Sequence, residues 1–369
     1  MRTSTDLVIV GAGIVGLAHA ADAISRGLRV TVLDRDERAV GASVRNFGHV
    51  GTTVQSGEAL DHALVARERW IALGAKAGFD VQQEGTLVVA RTPGELAVLE
   101  ELAADRGPEQ VRLLTADRVR DRFSPAGADV RGGAHLPLDL RLDPRAAIPA
   151  LAGWLADEGV ELGWGRSAGI VEPGAVLTPE DTLVAPYVVV AVGHDVDRLF
   201  PALAAEAGVR RCRLHMLEVA PPRDARIAPA VLTGTAMLRY GGLAAMPSAA
   251  LVRAEIERAH PELLEVVANL MLTQRPDGSI VLGDTHHYAH THPPFDEEAV
   301  SDVLLREGAR LLGGPLSVRR RWRGVYADSP DMDFLVATPH PGTRVVSVTS
   351  GIGMTTALGL APTVLDDLL

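Results

Sequence analysis

Leu7-Val-Ile-Val-Gly-Ala-Gly-Ile-Val-Gly16 is the stretch on which the fold turns. Its first four residues are wholly apolar, as a strand buried in a parallel sheet requires. Gly11, Gly13 and Gly16 follow in the spacing GxGxxG, and an Ala-rich helix runs on to about Arg26, ended by Gly27. Arg29 to Leu33 is a second apolar strand, and Asp34 closes it eighteen residues after Gly16. In such a unit the first glycine permits a tight turn, the second lets the backbone approach a pyrophosphate, and the third lets helix and strand pack closely. The helix N-terminus offers free N–H groups and the positive end of its dipole to the phosphates. Asp34 stands where a carboxylate accepts hydrogen bonds from an adenosine ribose. The glycine spacing alone is a weak signal, but here strand, turn, helix and acid agree.

Outward from this unit the pattern changes. Gly57 to Gly78 reads as a long amphipathic helix with Leu60, Leu64, Trp70 and Ile71 on or near one face. Glu84 to Arg91 reads as a strand, and Thr115 to Phe123 as a short helix opened by a Thr cap. Asp143 to Glu158 reads as a helix with Asp143 as cap and Pro144 in its first turn. Tyr187 to Val192 is again continuous and β-branched, with Gly193 after it. Arg211 to Ala220 alternates, and Val266 to Gln274 and Ser279 to Asp284 flank a hairpin turn at Arg275-Pro-Asp-Gly278. Arg344 to Val348 returns to the parallel type before Ser350-Gly-Ile-Gly353 and a closing helix. These runs predict an α/β protein with a discontinuous Rossmann-like dinucleotide-binding domain at 1–56, 140–208 and 325–369. An antiparallel-sheet α+β domain, at 57–139 and 209–324, is expected to hold the substrate.

Bulk composition narrows the function. A chain of 369 residues suits two domains sharing an interface. A formal net charge of -11 and only 4% aromatic residues weigh against nucleic-acid binding. One Cys, Cys212, allows neither an internal disulfide nor a thiolate metal cluster, and fits a reducing, cytoplasmic setting. The apolar run Leu7 to Ala21 is broken by glycines and does not read as a signal peptide, and no run is long enough to span a membrane. His286, His287, His290 and His292 cluster locally, but without the helical spacing that puts two imidazoles on one face, so no metal is expected.

Two further segments separate FAD from NAD. Gly41-Ala-Ser-Val-Arg-Asn-Phe-Gly48 follows soon after Asp34, and Ser350-Gly-Ile-Gly-Met-Thr-Thr356 opens a helix at the far end. A simple NAD-binding Rossmann enzyme lacks such a second glycine turn. With these segments the chain resembles the FAD-dependent D-amino-acid, glycine and sarcosine oxidases over nearly its whole length. The resemblance implies non-covalent FAD held by Gly11, Gly13, Gly16, Asp34, Arg35, Ser43, Arg45, Asn46, Ala191, Gly193, Gly351, Gly353, Met354 and Thr355. It also implies a backbone contact to adenine at Ala168, in the strand before Ile170.

Departures from that family carry information. Its α-amino-acid oxidases often place an Arg, which clamps the substrate carboxylate, where this chain has Tyr326. Gly324 stands where sarcosine oxidases attach the flavin through a Cys. The Lys that activates oxygen in those enzymes has no evident counterpart, since the one Lys is Lys76 in the helix from Gly57. Oxygen and another electron acceptor therefore both stay open. Val44-Arg-Asn-Phe-Gly-His-Val50, Arg213-Leu-His-Met216, Leu238-Arg-Tyr240 and Gly283-Asp-Thr-His286 resemble a subgroup associated with aminophosphonate breakdown. The last segment also resembles the GD motif of flavin hydroxylases, but the glycine turn that should soon come after it lies far downstream, so the match is set aside as chance.

The subgroup implies oxidation of a C–N bond in a small amine, an aminophosphonate or its N-methyl form, by hydride transfer to flavin N5 and imine hydrolysis. His49, Arg239, Tyr240, His286 and Tyr326 are the candidate substrate and catalytic residues, with His286 or His49 taking the ammonium proton. Taken singly, each His reads first as a satisfied structural residue, and Arg239 reads equally as a surface or interdomain ion pair. A D-amino-acid or sarcosine-type oxidase or dehydrogenase is the alternative. A non-catalytic flavoprotein that assembles or binds is the alternative of another class. The exact amine and the oligomeric state stay open.

Overall fold

The computed structural model describes residues 5–125, 127, 129–222 and 225–369. Strand Leu7–Val10 lies inside a six-stranded sheet in the order Phe334–Ala337, Thr343–Val348, Tyr187–Val190, Leu7–Val10, Val30–Asp34, Glu161–Trp164. All neighbours run parallel except the Phe334–Ala337 edge. Segments far apart in the chain thus build one sheet, in the discontinuous manner expected from the apolar runs at the two ends and the centre of the chain. Leu7 and Ile9 face the helices Ile14–Ser25, Pro144–Asp157 and Gly353–Leu368. Val8 and Val10 face the other way, toward a small antiparallel sheet of Ile170–Glu172, Ala175–Leu177 and Thr182–Val184. Coverage on both faces is why the strand shows no polar alternation.

The second layer is a nine-stranded, mostly antiparallel sheet. Its long strands Arg210–Ala220 and Ser317–Asp328 pair along their length, and Ala268–Gln274 and Ile280–Thr285 form the expected hairpin. The turn closes with Arg275 N–H donating to Ser279 O at 2.7 Å, and Gly278 takes φ +81°. Glu218, buried in the long strand, accepts from Arg145 of the helix Pro144–Asp157 and from Arg275 of the turn, so one carboxylate ties the two layers together.

Helix Gly57–Ala77 departs from the expected pattern. Its buried face is Ala59, Ala63, Ala66, Trp70 and Leu73, while Leu64 is exposed. Small residues face inward because the closing helix crosses there at backbone distance. A Cβ on Gly359 would stand 2.0 Å from His62 O. The helix shares the core of the parallel sheet although the expected boundary at 57 assigned it to the substrate domain. The boundary at 324/325 falls inside strand Ser317–Asp328. Trp70 is fully buried and donates from Nε1 to Met354 O at 2.7 Å. Trp70→Ala is expected to cost about 3–5 kcal/mol, read as a lowered urea midpoint. A variant as stable as the parent would remove Trp70 from the account of the core.

Candidate active site

The carboxyl ends of the parallel strands open on a cavity of about 350 Å³ that reaches the large sheet. Ligands bind in this crevice in open α/β sheets. Every candidate residue named from the sequence lines it except Gly16. Gly16 is buried behind it, where a Cβ would stand 1.8 Å from Gly11 O. It permits the helix–strand approach rather than touching the cavity.

One end is polar. Asp34 accepts from Ala12 N–H at 2.7 Å and Asp36 N–H at 3.0 Å, so it holds the glycine turn in shape as well as facing the cavity. Arg35 Nη2 pairs with Asp195 Oδ2 at 2.6 Å. Ala168 lies in an irregular stretch between two strands, not in a strand as expected. The turn itself differs from the expectation in one respect. The Ile14 N–H at the helix start donates to Ser43 Oγ at 2.9 Å, so it is already engaged. Asn46 folds its own segment, donating to Ala42 O and Ser43 O and accepting from Gly48 N–H. Arg45 is exposed at the rim and donates to Arg323 O.

Glycines set the width of the cavity. A Cβ on Gly11 would meet Ala191 O at 2.4 Å, and one on Gly351 would meet the Tyr326 ring at 2.8 Å. Gly193 has φ +59°, in the left-handed region that favours glycine. Gly353, Met354 and Thr355 start the closing helix beside them, and Thr355 Oγ1 accepts from Gly51 N–H at 3.3 Å. An elongated crevice with an acid at one end, glycine backbone along its length and an aromatic wall at the other fits FAD. Cys212, the one cysteine, is buried against Tyr326, with its thiol pushed up to about 12 by burial, and does not line the crevice.

The Tyr326 end gathers residues from four chain segments. Arg239 donates from Nη2 to Tyr326 Oη at 3.0 Å and to Ser350 O at 2.8 Å, and from Nε to His286 Nε2 at 3.3 Å. All three partners are neutral, and Nη1 has none among the described residues. This guanidinium is no surface ion pair. His286 Nδ1 donates to Val267 O at 3.0 Å, so Nε2 is its lone-pair nitrogen, and Arg239 occupies that lone pair. Burial and the Arg239 charge push the His286 pKa down to about 3. A proton-accepting role for His286 does not survive this geometry. His49 Nε2 lies 2.7 Å from Thr86 Oγ1 and 3.4 Å from buried Asp139, with its ring edge-on to Tyr240 at 6.4 Å.

Asp284 and Asn269 also line this end, and sequence reasoning missed both. Burial pushes the Asp284 carboxyl up to about 7. Its signal was the Gly283-Asp-Thr-His286 segment, kept for its subgroup resemblance while its likeness to the GD motif was set aside as chance; Asn269 has no signal inside an apolar strand. The other histidines disperse. His287 lies with its ring 5.9 Å from that of His215, and His292 Nε2 bonds Arg211 O. Lys76 stands over the Trp154 ring at 5.8 Å, away from the crevice. No described helix is long and apolar enough to cross a membrane.

A family model described as FAD dependent oxidoreductase matches residues 6–366. The chain is 24% identical over 370 residues to the B subunit of opine oxidase from Agrobacterium tumefaciens (strain Ach5), covering 94% of this chain and 89% of that one. It is 28% identical over 226 residues to gamma-glutamylputrescine oxidoreductase of Escherichia coli (strain K12), a match spanning 54% of this chain and 51% of that one. Among solved structures, glycine oxidase from Geobacillus kaustophilus superposes with a TM-score of 0.79 at 19% identity, covering 99% of this chain and 94% of that one. L-proline dehydrogenase from P. horikoshii superposes at 0.81 with 18% identity, covering 99% and 93%. At such identities the structural likeness shows the fold alone.

Proposed function

The chain belongs to the FAD-dependent oxidoreductase family whose model spans residues 6–366, and from that premise we propose that it oxidises the C–N bond of a small amine bearing an anionic group. The anionic group is a phosphonate in this reading, and the substrate an aminophosphonate or its N-methyl derivative. One observation carries the proposal. The Arg239 guanidinium lies at the Tyr326 end of the crevice with only neutral partners and Nη1 unspent. A cation so placed is satisfied by an anion that enters with the substrate.

The bound flavin supplies the acceptor for the hydride that leaves the carbon bearing nitrogen. The chain's own residues bind and orient. Arg239 and the Tyr326 hydroxyl take the anion, and His286 holds the Arg239 fork through its Nε2 lone pair. Tyr240 adds a further hydroxyl at the cavity wall. His49, held by Thr86 and Asp139, braces the Tyr240 ring. The segments around Arg45, Arg239 and Asp284 that resemble the aminophosphonate subgroup support the phosphonate over other anions.

A carboxylate is the second reading, because Arg239 reaches Tyr326, where amino-acid oxidases of this type carry their carboxylate-binding Arg. The test is an anaerobic titration of the yellow holoprotein with 2-aminoethylphosphonate, its N-methyl form, glycine, sarcosine and D-alanine. Bleaching by the aminophosphonates alone is the expected result. Bleaching by glycine, sarcosine or D-alanine instead transfers the chain to the carboxylate reading. A flavin that none of them bleaches leaves the family standing and removes the substrate.

A further inference from the structure

Beside Arg239 the cavity wall holds two buried oxygens without a hydrogen-bond partner among the described residues, Asp284 Oδ1 and Asn269 Oδ1. Asp284 is 5% exposed and Asn269 4%. The Asn269 side chain lies within hydrogen-bond reach of Asp284 and of the Tyr240 hydroxyl, but burying an acceptor oxygen without a partner costs free energy, and a donor that arrives with a ligand would satisfy both oxygens. The anion site described above offers only donors. A molecule that carries an anion at one end and N–H groups at the other completes both sets at once.

We propose that Asp284 is the proton acceptor for the bound amine, taking the ammonium proton and freeing the nitrogen lone pair, while Asn269 Oδ1 accepts a second N–H. The step balances within the two groups. An ammonium and the Asp284 carboxylate become a neutral amine and the Asp284 carboxylic acid. One N–H bond breaks, one O–H bond forms, and no electron is exchanged. The neutral amine is the form whose lone pair can assist departure of hydride from the neighbouring carbon. This assignment rests on the reading of the substrate as an anionic amine.

Other titratable groups at this end are excluded by their surroundings. The His286 lone pair is occupied by Arg239. His49 Nε2 is engaged with Thr86 and Asp139. Burial pushes the Tyr240 hydroxyl up to about 12 and holds that of Tyr326 well above its ordinary value. Asp284 is faced by Arg239 and Tyr240, by Asn269 from strand Ala268–Gln274, by Cys212 from strand Arg210–Ala220, and by His286 beyond its own strand. Burial raises its pKa and Arg239 draws it back, to about 7. A carboxyl so poised exchanges its proton in the working range of pH. Above that value it is charged and suits an ammonium; below it, it is neutral and tolerates an anion without an amine.

The test uses the holoenzyme and two amine-free probes, ethylphosphonate and propionate, which read the anion site by the shift they cause in the flavin band. With Asp284 titrating, the dissociation constant of propionate, whose charge is constant in this range, should rise about tenfold between pH 6 and pH 8, since each pKa unit of coupling is a factor of ten. In Asp284→Asn the propionate constant should be flat with pH, and the ethylphosphonate constant should keep only the dependence set by the probe's own second ionisation. Anaerobic bleaching by 2-aminoethylphosphonate should in addition slow about 10²-fold or more in the variant. Asp284→Ser, read the same way, guards against an amide that disturbs local packing. Probe binding that Arg239→Ala abolishes, but whose pH dependence is the same in wild type and both Asp284 variants, overturns the Asp284 assignment alone. Failure of every probe and amine to perturb the wild-type flavin overturns the substrate reading and this assignment together.

Discussion

Arg239→Ala is expected to lower kcat/KM for the anionic amine by about 10²- to 10⁴-fold while the protein stays yellow. Two charge-assisted hydrogen bonds to the anion contribute roughly 1.5–3 kcal/mol each, and each 1.36 kcal/mol is about a factor of ten. Removal also frees Ser350 O, which accepts from Nη2 at 2.8 Å, so the glycine turn at 351 loses one brace. Flavin affinity should therefore be measured alongside the kinetics. An unchanged flavin dissociation constant with a raised KM assigns the loss to the substrate. Arg239→Lys should recover only part of the activity, because an ammonium cannot reach Tyr326, Ser350 and the substrate from one planar fork. The truncated side chain leaves room for free guanidinium, and partial rescue by it would tie the effect to the missing cation. If kcat/KM is the same in the Ala variant, Arg239 is a structural residue and the proposed substrate class goes with it.

Gly16→Val should give a protein that holds no FAD. A Cβ at this position would stand 1.8 Å from Gly11 O and 3.2 Å from the Ile9 side chain. Neither atom can give way cheaply: one is backbone in the turn, the other packs in the central strand. The helix Ile14–Ser25 must move off the sheet, taking with it Gly13 and the segment held by Ser43. Overpacking a close contact costs typically about 1–3 kcal/mol where side chains can adjust, and more where backbone meets backbone. The measurement is the ratio of bound flavin to protein after purification with added FAD. Gly153→Ala is the matched control. It lies exposed in the helix Pro144–Asp157 with open space around it, and should keep the flavin and gain about 1 kcal/mol of helix propensity. A yellow Gly16→Val protein with normal flavin affinity would show that the close helix–strand approach is dispensable.

Both variants probe features of different legibility. The glycine turn was legible because its physics is local. Three glycines, an apolar strand before them and an acid after Val30–Leu33 are constraints within one contiguous unit, so spacing alone carries them. The caps at Thr115 and Asp143 were readable for the same reason, each side chain accepting from an N–H two or three residues on. The hairpin at Arg275–Gly278 is another case. Helix Gly57–Ala77 was half legible. Its length follows from its period, but its alanine face packs where Gly359, near the other end of the chain, lets a second helix come close. Nothing within the helix says so.

The substrate end was the least legible part. Arg239, His286 and Tyr326 were each named, yet the role of His286 as a proton acceptor was wrong, since that role depends on which of its nitrogens keeps a lone pair. Asp284 was passed over because its motif was weighed by its downstream neighbours in sequence rather than by the groups that face it in space. Its raised pKa comes from burial among Tyr240, Asn269 and the strands beside them, and burial is a tertiary property. The sequence by itself determined the dinucleotide unit and the two-layer α/β architecture, because backbone conformation and strand burial are written in neighbouring residues; FAD followed from two glycine-rich segments at opposite ends of the chain and the family they resemble. Only the tertiary structure decided that Arg239 lies beside Tyr326 with neutral hydrogen-bond partners and that Asp284 Oδ1 is buried without a partner among the described residues. Those are facts about the field and desolvation at one point, to which residues 212 to 350 contribute from separate strands and loops.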